Sequence, residues 1–218
     1  GILELQIGTE RVRGMLESNA FAEASTRVEQ LLEQARTLGD PLLLSDLLGV
    51  SGEAAERAGR AEEASQQVIQ AIQLIQQVPG DEGLKRAVRH LGRLGRIELR
   101  AGRTEKAQTF FEQQKAAAEQ VGDPLSEARA TVNQSAVLMQ QGQMDACLEK
   151  LAEGEQLSRD IGDLLTVAKV LHNRASILAG RGEKDNAKKN LEQSIEIAIS
   201  ISWREGVAMN DALRRKLT

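Results

Sequence analysis

Apolar residues return along the chain at the spacing of one helix face. Phe21, Ala24, Val28, Leu31, Leu32, Ala35 and Leu38 form one such stripe, and Ala187, Leu191, Ile195 and Ala198 form another. Steps of three and four residues place side chains on one side of a 3.6-residue turn. Between the stripes, glycines recur at a near-constant period. Gly-Asp stands at 39–40, 80–81, 122–123 and 162–163, at intervals of 41, 42 and 40 residues. A second series lies midway, with Gly59, Gly102, Gly142 and Gly182, and Asn19 in the first copy. Five residues after each member comes a small residue: Ala24, Ala64, Ala107, Cys147 and Ala187. Two series in phase over five copies define an internal repeat.

Each marker has a local reason. Glycine just past a helix end takes the left-handed conformation without Cβ strain. The Asp after it can cap the next helix by accepting from free backbone N–H groups. Pro41 and Pro124 then suit the first helical position, which needs no N–H. The pattern predicts antiparallel helix pairs at 3–18 and 22–38, 41–57 and 62–77, 83–101 and 105–121, 124–140 and 145–161, and 164–180 and 185–200. A lone helix follows at 204–217. The interval from Gly59 to Gly102 is 43 residues, and the excess is expected as a longer loop at Pro79–Gly83. With no low-complexity linker, residues 1–218 are expected to form one domain. Its repeats fall at about 2–39, 40–80, 81–122, 123–162 and 163–202, with the terminal helix at 203–218. That helix carries Trp203, Val207, Leu213 and Leu217 on one side. It would cover the end of the fifth repeat or begin a sixth.

A small residue in the first helix, a turn Gly seven later and a small residue five beyond read Gly52…Gly59…Ala64, Gly95…Gly102…Ala107, Ser135…Gly142…Cys147 and Ala175…Gly182…Ala187. The first copy is degenerate, with Val12…Asn19…Ala24. This pattern resembles the tetratricopeptide repeat (TPR). The longer period and the Gly-Asp ending are similar to repeats of the kinesin light chain type and of bacterial regulators. Leu171-His172-Asn173-Arg174-Ala175 and Arg204-Glu205-Gly206-Val207-Ala208 stand close to first-helix signatures of that type. The resemblance implies an all-α, right-handed superhelical solenoid of about five helix pairs with a C-terminal capping helix. It also implies that the first helix of each pair lines a concave groove.

Composition narrows the chemistry. The chain has no Tyr, one Trp and three Phe, which disfavours an aromatic-rich β-sandwich or barrel. A single Cys excludes a disulfide framework and any multi-cysteine zinc site. Cys147, Met139 and Met144 read as packing residues. His90 and His172 lie on different repeats, and no phosphate-binding loop occurs. No apolar run approaches the roughly 20 residues of a membrane span. A non-catalytic, cytoplasmic chain without cofactor or metal, and without a membrane partner, is expected. The chain starts at Gly1 with no Met before it, as a trimmed chain would, so a targeting segment need not be legible in it.

Charge singles out one stretch. Residues 84–103 hold Lys85, Arg86, Arg89, Arg93, Arg96, Arg100 and Arg103 against Glu98 alone. That is a net +6 in a chain of net −4, so the remainder carries −10. From Arg86 to Arg103 the arginines fall within about 100° of helix circumference. Such a stripe needs opposing anions. By the resemblance, Arg89, Arg93, Arg96 and Arg100 face the groove. Neighbouring first helices would add Asp46, Glu53 and Arg57 on one side and Arg129, Asn133, Gln140, Lys169, His172, Asn173 and Ser176 on the other. The ligand-binding residues expected are Arg89, Arg93, Arg96, Arg100, Arg129, Asn133, Lys169 and Asn173, with Gly49 and Gly92 leaving the floor open to a ligand backbone. Two readings of the stripe stand side by side. It binds an external anion, or it pairs with Asp46 and Glu53 across adjacent helices.

The expected function is a scaffold that binds an acidic peptide or partner segment in the groove. The alternative is a ligand- or peptide-sensing domain of a bacterial regulator. An acidic remainder without stacking aromatics argues against a nucleic-acid partner. Leu3, Leu5 and Ile7, near the start, leave self-association through the solenoid ends open.

Overall fold

The computed structural model describes residues 1–217. Among them every regular element is an α-helix: α1 (Ile2–Glu17), α2 (Phe21–Leu38), α3 (Pro41–Arg57), α4 (Ala61–Ile75), α5 (Asp81–Arg100), α6 (Thr104–Val121), α7 (Pro124–Gln140), α8 (Met144–Asp160), α9 (Leu164–Gly180), α10 (Lys184–Ser200) and α11 (Arg204–Arg215). The odd-numbered helices are the first members of their pairs and the even-numbered ones the second. The backbone divides into two compact units, the first Gly1–Gly122 and the second beginning at Asp123.

The turn chemistry explains these boundaries. Both glycine series take positive φ, from 65° at Gly122 to 82° at Gly80, and Asn19 joins them at 60°. Ser202 is at 58°, one period beyond Gly162, where the sequence shows no glycine. Asp40 accepts from the Leu42 and Leu43 amides at 3.0 and 3.2 Å, Asp123 from Ser126 N at 3.1 Å, and Asp163 from Thr166 N at 3.3 Å.

The copy at Gly80-Asp81 departs from expectation. Asp81 is the first residue of α5 and makes no capping bond, and Gly80 is the N-cap. The loop occupies residues 76–80, so the expected loop at Pro79–Gly83 is displaced and 81–83 are helical. The excess length is shared between this loop and a 20-residue α5, against 17 residues in α3, α7 and α9.

In the first unit, Val12, Leu16, Val28, Leu31 and Leu47 join α1, α2 and α3 in one core. Ala55, Ala64, Val68, Leu94 and Ile97 continue it across α3, α4 and α5. The small positions allow this approach. The fully buried Phe111 ring lies against Gly95, and Val68 lies where a side chain on Gly52 would stand. In the second unit Cys147, Leu151, Val170 and Ile177 form one cluster, with Met139 and Met144 packed against it. Ala175, Ala187, Leu191 and Leu217 form another, on which Leu213 of α11 packs. Trp203 is the N-cap of α11, and its ring lies on Gly206.

Candidate partner-binding faces

In the first unit, α3 and α5 stand one repeat apart and present their polar edges together. Arg86 Nε lies 3.1 Å from Asp46 Oδ2, and Arg89 Nη2 lies 3.2 Å from Asp46 Oδ1. Arg93 Nη2 lies 2.9 Å from Glu53 Oε2, while Arg57 of α3 takes the other Glu53 oxygen at 3.0 Å. Arg100 pairs with Glu56. Arg103 bonds Glu62 at 2.7 Å and Glu98 at 3.1 Å. Burial alone would raise the Glu98 carboxyl, but Arg103 and Ser65 hold it below its ordinary value. The pairing with Asp46 and Glu53 that the sequence allowed is therefore present, and it joins residues 40–43 apart, about the length of one repeat.

Arg96 is the exception. It is exposed, and no carboxylate lies within ion-pair distance of it among the described residues. Desolvation by the surrounding protein, then the Arg93 charge, push its guanidinium pKa down. Arg93 is pushed down by burial against the pull of Glu53 and Glu56.

The glycines of this face are not open floor, which corrects the expectation for Gly49 and Gly92. A methyl group on Gly49 would stand 2.5 Å from His90 Cε1, and one on Gly92 would stand 2.5 Å from Gln114 Nε2. Each glycine admits a neighbouring side chain. His90 itself is 4% exposed and shares a 2.9 Å hydrogen bond with Ser45 Oγ. Burial, with Arg93, Arg89 and Arg86 nearby, lowers its pKa to about 3, so the imidazole is neutral.

Beside the arginine face lies a cleft of about 760 Å³ between α1, α3 and α5. Ile7, Leu42 and Leu43 give it an apolar wall, and its edges carry charge of both signs, from Arg11, Arg13 and Arg86 and from Glu10, Asp40 and Asp46. Sequence reading missed this cleft because the first repeat is degenerate. The signal was the exposed Ile2 and Ile7, which line it, in a helix whose Leu5 is buried.

The second unit carries the remaining expected residues. Arg129 Nε stands 3.8 Å from Asp163, the N-cap of α9. Asn133 on α7 and Asn173 on α9 occupy the same register, nine residues before Gly142 and Gly182. Both are half-buried, and neither amide has a hydrogen-bond partner among the described residues. Lys169 Nζ lies 5.6 Å from the Trp203 ring centroid. His172 is drawn toward α11, with Nδ1 2.9 Å from Asn210 Oδ1. The Cys147 thiol is buried, and burial raises its pKa. Among the described residues no cluster of three metal-ligating residues occurs, and none of their helices is long and apolar enough to cross a membrane.

Comparison with known proteins accords with this architecture. A profile described as tetratricopeptide repeat matches residues 43–120, and a second of the same description matches 168–198. No curated protein matches the sequence. The kinesin light chain nearly identical TPR-like repeats of Podosopora anserina superpose with a TM-score of 0.70 at 19% identity, covering 92% of this chain and 98% of that one. Aspartyl phosphate phosphatase F from Bacillus subtilis gives 0.87 at 13% identity, with 98% of this chain covered and 55% of that chain. The Rap conjugation gene regulator of plasmid pLS20, solved in complex with the Phr* peptide, gives 0.79 at 16% identity, with 96% and 57% covered. This chain thus spans just over half the length of the last two proteins. The paired helices, the phased turn glycines and the two profile matches agree: the chain belongs to the tetratricopeptide repeat family, and its fold is the all-α TPR solenoid.

Proposed function

We propose that the chain is a non-catalytic interaction scaffold, and that the α3–α5 face of its first unit binds an acidic peptide or partner segment. The observation that carries this reading is Arg96, an exposed guanidinium with no carboxylate within ion-pair distance among the described residues. Arg89 and Arg100 flank it on α5 with 63% and 68% of their side-chain surface exposed, so each can turn toward an incoming carboxylate, while Arg93, 22% exposed, is held in place beside it. In the second unit, Arg129, Asn133, Lys169 and Asn173 provide charge and unpaired amides suited to an extended main chain. The absence of catalysis is supported by the state of the reactive groups: His90 is buried and neutral, and the Cys147 thiol is raised above its ordinary pKa.

Fluorescence anisotropy of a fluorescein-labelled octaglutamate peptide tests the reading. The full chain should bind it at low salt, and binding should weaken as salt rises. Arg96→Gln should weaken it roughly tenfold, the loss of one charge-assisted hydrogen bond of about 1.5 kcal/mol. Equal binding by Arg96→Gln and the parent would refute this face as the site.

A second reading is a peptide-sensing domain of a bacterial regulator. It is favoured by the likeness to the pLS20 regulator, whose structure contains a peptide. Thermal-shift screening against short peptides separates the two, because a tight small ligand raises the melting temperature by mass action.

A further inference from the structure

We infer that Glu53 and Glu56 are internal occupants of the arginine face, carboxylates that an acidic partner must replace and that therefore set the threshold for binding. This rests on the proposed function and adds its regulation. Three α3 carboxylates, Asp46, Glu53 and Glu56, stand against Arg57, Arg86, Arg89, Arg93, Arg96 and Arg100, with Glu82 serving only Arg86 from within that set. Asp46 and Glu53 are each divided between two guanidiniums. A divided carboxylate leaves part of each guanidinium fork unmatched, and an incoming anion can complete it.

The geometry also allows exchange without disordering the site. Arg93 is anchored twice, by Nη1 to the Gly49 carbonyl and by Nη2 to Glu53. The backbone anchor does not depend on Glu53. When that carboxylate is displaced or removed, the guanidinium stays in place with one edge free, next to Arg96 one helical turn along. The pairs are partly solvated, with Glu53 at 23% and Glu56 at 13% side-chain exposure. Exchanging one carboxylate for another in such a setting is close to balanced, so the internal acid acts as a competitor more than as a structural tie.

The experiment uses the full chain and the same labelled octaglutamate at low ionic strength. Glu53→Gln keeps the shape and removes the charge, and it should bind about fivefold more tightly than the parent. Binding by the variant alone, with none by the parent, is the same result in stronger form. Unchanged or weaker binding by a folded Glu53→Gln overturns the inference while the parent's binding preserves the proposed function. No binding by parent or variant overturns both. Circular dichroism checks the fold, and if Glu53→Gln fails it, Glu56→Gln decides by the same criteria.

Discussion

His90 stands twelve residues before its turn glycine, where the other repeats place Leu47, Ala130 and Val170. Carbon therefore fills that position in three copies, and an imidazole fills it in one. The ring's bond to Ser45 satisfies one nitrogen, and Ser45 itself replaces the Val88, Ala128 and Ala168 of the other repeats. The pair is a coupled polar substitution in an apolar scheme. Its effect on stability has a definite sign. The unfolded imidazole binds a proton near pH 6.5, and the folded one only near pH 3. Between those values the unfolded state binds more protons, so stability falls as pH drops from 6.5 toward 3. By pH 4 this one group should cost about 3 kcal/mol relative to pH 7. Ser45→Ala/His90→Val restores the repeat's own apolar choice and leaves no unpaired partner. Urea melts at pH 7 and pH 4 should show the double variant losing about 3 kcal/mol less than the parent. Equal losses would show that His90 is not the group titrating.

At the scale of elements, the helices were legible because turn chemistry and apolar period agreed copy after copy. Ten of the eleven helix starts fall within one residue of the predicted position; only α5, beginning at Asp81 instead of 83, does not. It failed where two signals conflict. Gly80-Asp81 looks like its counterparts, but the extra residues beside Pro79 shift the cap onto Gly80, and no periodicity rule shows how a helix and a loop divide three surplus residues. The arginine face was legible as a stripe because charge on one helix is a one-dimensional pattern. Arg96 as its unmatched member was not, since that depends on which α3 carboxylate lies opposite each arginine. Ser202 shows the limit from the other side. The period demands a left-handed residue at 202, yet no glycine marks it, and the backbone adopts φ 58° with a serine. A left-handed L-residue costs about 1–2 kcal/mol, partly offset by the entropy that glycine would lose on ordering. Ser202→Gly should therefore raise stability by roughly 0.5–1 kcal/mol, read as a higher melting temperature by circular dichroism. A lower melting temperature would mean the serine makes a compensating contact.

At the scale of the whole molecule, contacts follow the chain. Within each unit the paired helices α3 with α4, α5 with α6, α7 with α8 and α9 with α10 pack most extensively, and the contacts of α2 with α3, α4 with α5 and α8 with α9 are among those that come next. Stability in such an arrangement is a sum of local and nearest-neighbour terms, so damage should stay local. Ala187 tests this. It is fully buried against Ala175, Leu191 and Leu217. Ala187→Leu overpacks that cluster and should cost roughly 1–3 kcal/mol. Hydrogen exchange should then accelerate in α9, α10 and α11 while α1 to α4 keep their protection. The arginine face is built on α3 and α5, outside the damaged cluster, so octaglutamate affinity should match that of the parent. If protection instead falls alike in α1–α4 and α9–α11, the chain unfolds as one cooperative body, and the nearest-neighbour account is wrong for it.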